Sequence, residues 1–334
     1  MRLKGMVIIL LITVLGCNQG SDKKITKIDK SLKGTVLFTF GTVSIIDKDG
    51  TSRKIKVKDI VVKGQTIKTG PKAFVTLQVG KIAVIKIKEK SLVVYNDVSS
   101  DLITSLNLKK GSLLTKINKL QKGKSFSVYT DTLLAAVRGT EFIISSEGKK
   151  TQISLKQGKL AIRPLKKAEK EEIKEKINPH KDEIIVSEGK TVTAEPKKDQ
   201  NIIEKNDIKE RNITKEEKLE VEKISIVPIV KNPEKISEKE LIKIQKETKK
   251  KEDKINKKLV KVVYQNKVTK IIQKKTRTIV EMKQVFTRVS RFVLYNGRKI
   301  EGAVLYRRGN SITILTRYGK VNFSKSDIQN EIPL

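Results

Sequence analysis

The chain has 334 residues, room for one to three domains and a sizeable core. One Cys, one His and no Trp exclude an intrachain disulfide and any His/Cys metal cluster. The formal net charge of +36 with pI ≈ 10.0 raises a polyanion as partner, but the basic residues are spread through every region. The first segment also marks the protein for export, so nucleic acid is not the expected partner.

That segment is MRLKGMVIILLITVLGC. Arg2 and Lys4 form a positive start, and Met6 to Leu15 an apolar run too short to remain as a spanning helix. Val14-Leu15-Gly16-Cys17 resembles the bacterial lipobox, which implies a signal peptide over 1–16 and a covalent lipid on Cys17 as the membrane anchor. Acyl chains contribute about 0.8 kcal/mol per buried CH₂, so two or three anchor stably where one does not. Asn18 after the Cys points by family analogy to the outer membrane, facing the periplasm or the cell exterior. Residues 17–33 read as a polar, basic tether.

From Gly34 to Glu195 short β patterns alternate with glycines. Ile55 and Val57 alternate with lysines, as do Ile85 and Ile87; Leu106 and Leu108 alternate with Asn107 and Lys109. Such a period-two pattern predicts strands with one packed face and one wet face. Gly50, Gly64, Gly70, Gly80, Gly111, Gly123, Gly148, Gly158 and Gly189 fall between the runs as turn signals. The spacing predicts a mainly β fold, an all-β sandwich or solenoid-like stack. Within it, residues 164–182 carry Lys and Glu in helical register, and the only histidine, His180, reads there as a bystander.

Residues 126–145, FSVYTDTLLAAVRGTEFIIS, stand apart. An apolar run from Leu133 to Val137 is interrupted by Arg138-Gly139-Thr140 and resumes at Phe142. A lone Arg between buried segments needs its five donors satisfied, and Glu141 or Asp131 offers a carboxylate. The phrase AAVRGTEFIIS resembles the signature of the FecR domain family, carried here by Val137, Arg138, Gly139, Thr140 and Phe142 in a structural role. GTVSI at 41–45, VVKGQTIKTG at 61–70, KEKSLVVYN at 88–96, LNLKKGSLLTKI at 106–117, TQISLKQGKLAI at 151–162 and IIVSEGKTVTAE at 184–195 flank it in the family's order. The resemblance implies a FecR-like periplasmic-type β domain over 34–195. It departs from the family in having Thr130-Asp131 where a Thr-Pro is usual.

Residues 196–259 read as a charged linker, flexible over 196–235, with a helix starting at a Ser237/Glu240 capping box and ending near Val260. Without a sustained heptad it is expected to be a spacer or charged arm. Residues 260–334 return to β, beginning with Thr276, Thr278 and Val280, with hairpin turns at Asn296-Gly297, Gly309-Asn310 and Tyr318-Gly319. The expected module has three or four strands, with a small SH3-like barrel as its candidate form. Arg307, Arg308 and Arg317 beside Tyr306 and Tyr318 are candidate anion-binding residues.

No nucleophile motif, phosphate loop, dinucleotide fingerprint or metal motif occurs, so the chain is expected not to be an enzyme and to carry no metal or cofactor apart from the lipid. A FecR regulator has a cytoplasmic segment and one spanning helix; neither is expected here. The reading is a lipid-anchored cell-envelope protein whose β domain binds an envelope protein or a cell-wall polymer. The alternative is a polyanion-binding surface adhesin for glycosaminoglycan, anionic lipid or nucleic acid.

Overall fold

The computed structural model describes residues 33–97, 103–120, 125–137, 139–165, 183–196 and 203–334. The leader and Cys17, residues 18–32 of the tether, Gly123, Arg138 and the 166–182 segment with His180 lie outside the described residues.

Among the described residues, seventeen strands build two sheets. The first runs in the order β1 (Gly34–Phe40), β6 (Phe74–Val79), β7 (Ala83–Ile87), the second half of β9 (Ile103–Ile117), β12 (Glu141–Glu147), β13 (Lys150–Gln157), β16 (Lys190–Ala194) and β17 (Ile208–Asn212), with the short β4 (Ile60–Val61) on the other side of β1. The second runs β3 (Ser52–Lys54), β2 (Val43–Ile46), β5 (Thr66–Thr69), β8 (Leu92–Asp97), the first half of β9, β10 (Ser125–Tyr129), β11 (Leu133–Val137), β14 (Leu160–Pro164) and β15 (Ile184–Val186). The chain changes sheet after every one or two strands. Inward-facing residues of both sheets, such as Val36, Ile85 and Phe142 from one and Ile45, Ile67, Val93 and Phe126 from the other, share one core. This is a two-layer β sandwich wound as a flattened coil, as the alternating pattern predicts.

Strand β9 passes from one sheet to the other. Residues up to Lys110 pair with β8, and residues from Gly111 pair with β7 and β12. Gly111 is therefore not a turn between strands, as the glycine spacing suggests, but a corner inside one, at φ +98°. The alternation at 54–58 is not a strand either: β3 ends at Lys54, Ile55 is buried, and Lys58 turns the chain at φ 70°.

The outer face of the first sheet is covered rather than wet. All five residues of β7 are buried, including Val84 and Lys86. The cover is helix α1 (Lys215–Ser225), whose Val221 and Ile224, followed by Val227, pack on Val84 and Leu114. Residues 203–236 are thus not a flexible linker. Strand β17 extends the sheet, α1 lies on it, and Val230 is pinned by a reciprocal buried pair with the Gln78 amide at 2.6 and 2.9 Å. Two apolar positions in a Lys/Glu-rich stretch conceal this, because the partner surface lies 110–140 residues earlier in the chain.

Helix α2 spans Glu238–Gln273, 36 residues and about 54 Å at 1.5 Å per residue. The Ser237 hydroxyl caps it as expected, accepting from Glu240 N at 3.2 Å, but it passes Val260 by thirteen residues. Its first turns are docked, not a free arm: Leu241 packs with Leu37, Val230 and Ile236, and Gln245 donates to Leu37 O at 2.9 Å. Among the described residues no helix is long and apolar enough to cross a membrane.

The C-terminal sheet is antiparallel in the order β21 (Lys320–Ser324), β20 (Ser311–Thr316), β19 (Lys299–Arg308), β18 (Val289–Leu294), β22 (Ile328–Pro333). Five strands replace the expected three or four, and the first begins at Val289. Thr278 is no strand residue: it caps helix α3 (Ile279–Lys283) through a box with Glu281. The three expected turns are present, with Arg308 paired to Ser311 across Gly309-Asn310. Phe292 meets Phe323 edge-on at 5.3 Å inside the sheet. On the opposite side Met282, Phe286, Val289, Ala303 and Leu315 close over Ile271 at the end of α2.

Candidate functional site

Where α2 leaves the first sheet, a cleft of ≈ 460 Å³ opens between them. Its floor is the end of β1, the start of β6 and the end of β7, carrying Phe38, Phe40, Phe74, Thr76 and Lys86; its roof is the α2 face with Gln245, Thr248, Glu252 and Asn256. Antiparallel pairing places Phe40 directly across from Phe74. Their rings stack at 5.8 Å between centroids and 22° between planes. Phe40 remains 61% exposed, a large hydrophobic ring with no packing partner on its open face. Lys86 is held between the Phe74 ring, 4.3 Å from its centroid, and the Glu252 carboxylate at 2.6 Å. This ion pair joins the floor to the roof and sets the width of the cleft.

Beside the cleft, a network of charged groups fastens α1 to the sheet. Lys116 donates to the carbonyls of Ser225 and Val227 at 2.9 and 3.1 Å, capping the helix C-terminus with a cation. Burial pushes the Lys116 ammonium below its usual range; Glu141 opposes this and Lys156 adds to it. Glu141 accepts from Lys156 at 3.0 Å and from the Ser225 hydroxyl at 2.5 Å. Burial works to raise the Glu220 carboxyl, but Lys88 and Lys223 hold it below its usual range.

At the other end of α1, Glu217 closes a capping box with Thr214. It accepts from Arg211 at 2.6 and 2.9 Å, from Thr191 at 3.1 Å and from Gln152 at 2.9 Å. Burial works against its charge, but the Arg211 hydrogen bonds and the Thr214 amide outweigh it and bring the carboxyl from 4.5 to about 2. A group depressed in the folded state stabilises fully above its unfolded value and loses that contribution as protons bind. Docking of α1 is therefore expected to weaken as pH falls from about 4.5 towards 2. Protection of the Val221 and Ile224 amides, corrected for the intrinsic exchange rate, should fall over that window, and Glu217→Gln should shrink the pH dependence to the part that Glu220 contributes while lowering protection at neutral pH. Unchanged protection would refute the assignment.

The described signature residues, Val137, Gly139, Thr140 and Phe142, sit in the sandwich, away from the cleft. Val137 ends β11 and Phe142 is the second residue of β12, both in the core, so the chain changes sheet between these two strands. Thr140 is buried and its carbonyl accepts from Ile117 N at 2.9 Å. Gly139 has φ +121°, and a Cβ there would lie 3.0 Å from Lys119 Cα, so the position demands glycine. Upstream, where the family has Thr-Pro, the Thr130 hydroxyl organises the turn. It accepts from Leu133 N at 3.0 Å and from the Thr151 hydroxyl at 2.9 Å.

The three candidate anion-binding arginines are not brought together. Arg307 and Arg308 lie by the β19–β20 turn and Arg317 at the far end of β20, about 20 Å away for six residues of strand. Arg307 is paired to Glu331 at 2.6 Å, and Arg317 rests 5.5 Å from the Tyr318 ring centroid. Among the described residues no group of three or more His, Cys, Asp or Glu is placed to hold a metal ion. The cleft escaped the sequence reading. Phe40 and Phe74 are 34 residues apart, and only an unpaired aromatic at each strand end hinted at it.

The fold is that of a β-sandwich protein with a helical cover and an appended β sheet. Within the sandwich, residues 65–161 match the family model described as FecR protein, a span that starts at β5 and ends in β14. Two crystal structures of a "putative anti-sigma factor" from Parabacteroides distasonis ATCC 8503 are similar to part of the chain, at 13% and 12% identity and a TM-score of 0.35 each. Each alignment covers 48% of this chain; it spans 63% and 62% of theirs, less than two thirds of their length. No curated protein matches the chain.

Proposed function

We propose that this protein is a lipid-anchored, non-enzymatic component of the bacterial cell envelope whose FecR-like β domain binds an envelope protein or a cell-wall polymer. The FecR match over residues 65–161 carries this reading. The lipobox-like segment ending at Cys17 supplies the anchor, and the cleft under α2 supplies a concave, aromatic-floored surface suited to binding. Cells grown with radiolabelled palmitate should label the wild-type chain and not Cys17→Ala. Pull-down with the lipidated chain should recover an envelope partner. Absence of label, or recovery of the same partners by a chain lacking 34–195, would overturn the reading.

A specific feature favours the polyanion alternative: Lys246, Lys249, Lys250, Lys254 and Lys257 form a basic ridge on α2, interrupted by Asp253. Heparin retention with a steep salt dependence would support it, and elution below physiological salt would refute it.

A further inference from the structure

The chemistry of the α2 cleft narrows the class of its ligand. The stacked rings of Phe40 and Phe74 form a flat apolar platform, one face of which is open. Burying that exposed ring face is the main apolar gain a ligand can realise there. The charges that line the cleft cancel, the other lysines of the α2 ridge lying outside its lining. Lys86 is neutralised by Glu252 at 2.6 Å, and Lys249 and Asp253 balance at the rim. In a chain of net charge +36, a charge-balanced cleft selects against polyanions and for an uncharged ligand. Neutral hydrogen-bonding groups lie around it. Gln245 spends its amide N–H on Leu37 O, so its Oε1 is left as an acceptor, and Asn256 offers a donor and an acceptor.

We propose that this cleft binds a neutral sugar ring of a glycan strand, stacked on Phe40 and held at its edge by Gln245 and Asn256. A pyranose ring presents C–H groups on its faces and hydroxyl or amide groups around its rim, which matches an apolar floor with polar walls. An aromatic peptide side chain would cover the platform equally well but carries no polar groups around its own ring, so only the peptide backbone, set back from the platform, could reach the amides at the wall. The proposal rests on the cell-wall-polymer form of the proposed function and names its ligand class.

The test titrates the full chain with tetramers of β-1,4-linked N-acetylglucosamine and of β-1,4-linked glucose by calorimetry. Saturable binding of at least one, with little change between 50 and 300 mM salt, is expected. Phe40→Ala is expected to weaken it by at least about tenfold. Because the open face of Phe40 is exposed, an unchanged circular dichroism spectrum distinguishes lost binding from lost fold. Asn256→Ala, at the half-buried rim, is expected to weaken binding less and serves as the second variant. Binding of neither tetramer overturns the proposal, as does equal affinity in Phe40→Ala or stronger binding of a neutral Phe-containing peptide. If the tetramers fail while the palmitate-labelled chain still recovers an envelope partner, only the ligand assignment falls.

Discussion

Replacing Arg277 with alanine is expected to detach the C-terminal sheet from α2 and to destabilise the junction by about 3–5 kcal/mol. Arg277 is only 3% exposed, yet among the described residues no carboxylate is paired with it. Its guanidinium is satisfied by backbone carbonyls. Nε donates to Ile271 O at 3.1 Å, Nη2 to Ile272 O at 3.3 Å and also to Lys274 O, and Nη1 to Thr316 O at 2.8 Å. Its own N–H donates to Arg317 O at 3.1 Å. The last turn of α2 has orphan carbonyls with a partial negative charge, and the cation satisfies both needs while tying the helix to β20. Alanine would remove the guanidinium donor from four carbonyls at the junction, of which Ile271 O retains only the long contact from Lys274 N at 3.4 Å. Arg277→Lys keeps the charge but not the planar fork and should recover about half of the loss. Faster tryptic cleavage after Lys274 and Lys275 would report the detachment. Wild-type cleavage rates and an unchanged denaturation midpoint in the alanine variant would sink the assignment.

The second large effect is expected at Gly111. There β9 leaves one sheet for the other, and φ is +98°, a conformation that side chains with a Cβ rarely adopt. A Cβ would meet Ser91 Cα at 2.5 Å, and Ser91 is itself fixed, accepting from Ser112 N at 3.0 Å and donating its own N–H to Thr69 Oγ1 at 2.8 Å. Backbone strain and the clash add, because the neighbour is main chain and cannot swing aside. Gly111→Ala is expected to cost about 3–5 kcal/mol. Gly148→Ala, where a Cβ meets nothing within 4 Å, isolates the strain alone and should cost less. Equal midpoints for the two variants in urea denaturation would show that the corner at β9 does not constrain the fold.

Much of this architecture was legible in the residues. Alternating apolar positions such as Ile85/Ile87 and Leu106/Leu108 point inward as their period demands, because strand geometry ties side-chain direction to sequence parity. The hairpins at Asn296-Gly297 and Gly309-Asn310 follow from local turn chemistry, and the Ser237 cap from a hydroxyl three residues ahead of a free N–H. Each of these is a short-range rule, settled by neighbours within a few positions.

The tertiary structure decided what depends on distant partners. Val84 and Leu114 read as interruptions of an alternating pattern until α1 brings Val221 and Ile224 over them. Arg277 is an ordinary basic residue in the sequence and becomes a helix cap only because the end of α2 and the edge of β20 converge on it. The cleft is assembled from β1, β6, β7 and α2, more than two hundred residues apart from first to last. Local pattern dictates which face of a strand is apolar, but not what covers it, since burial is a property of the partner surface that packing delivers.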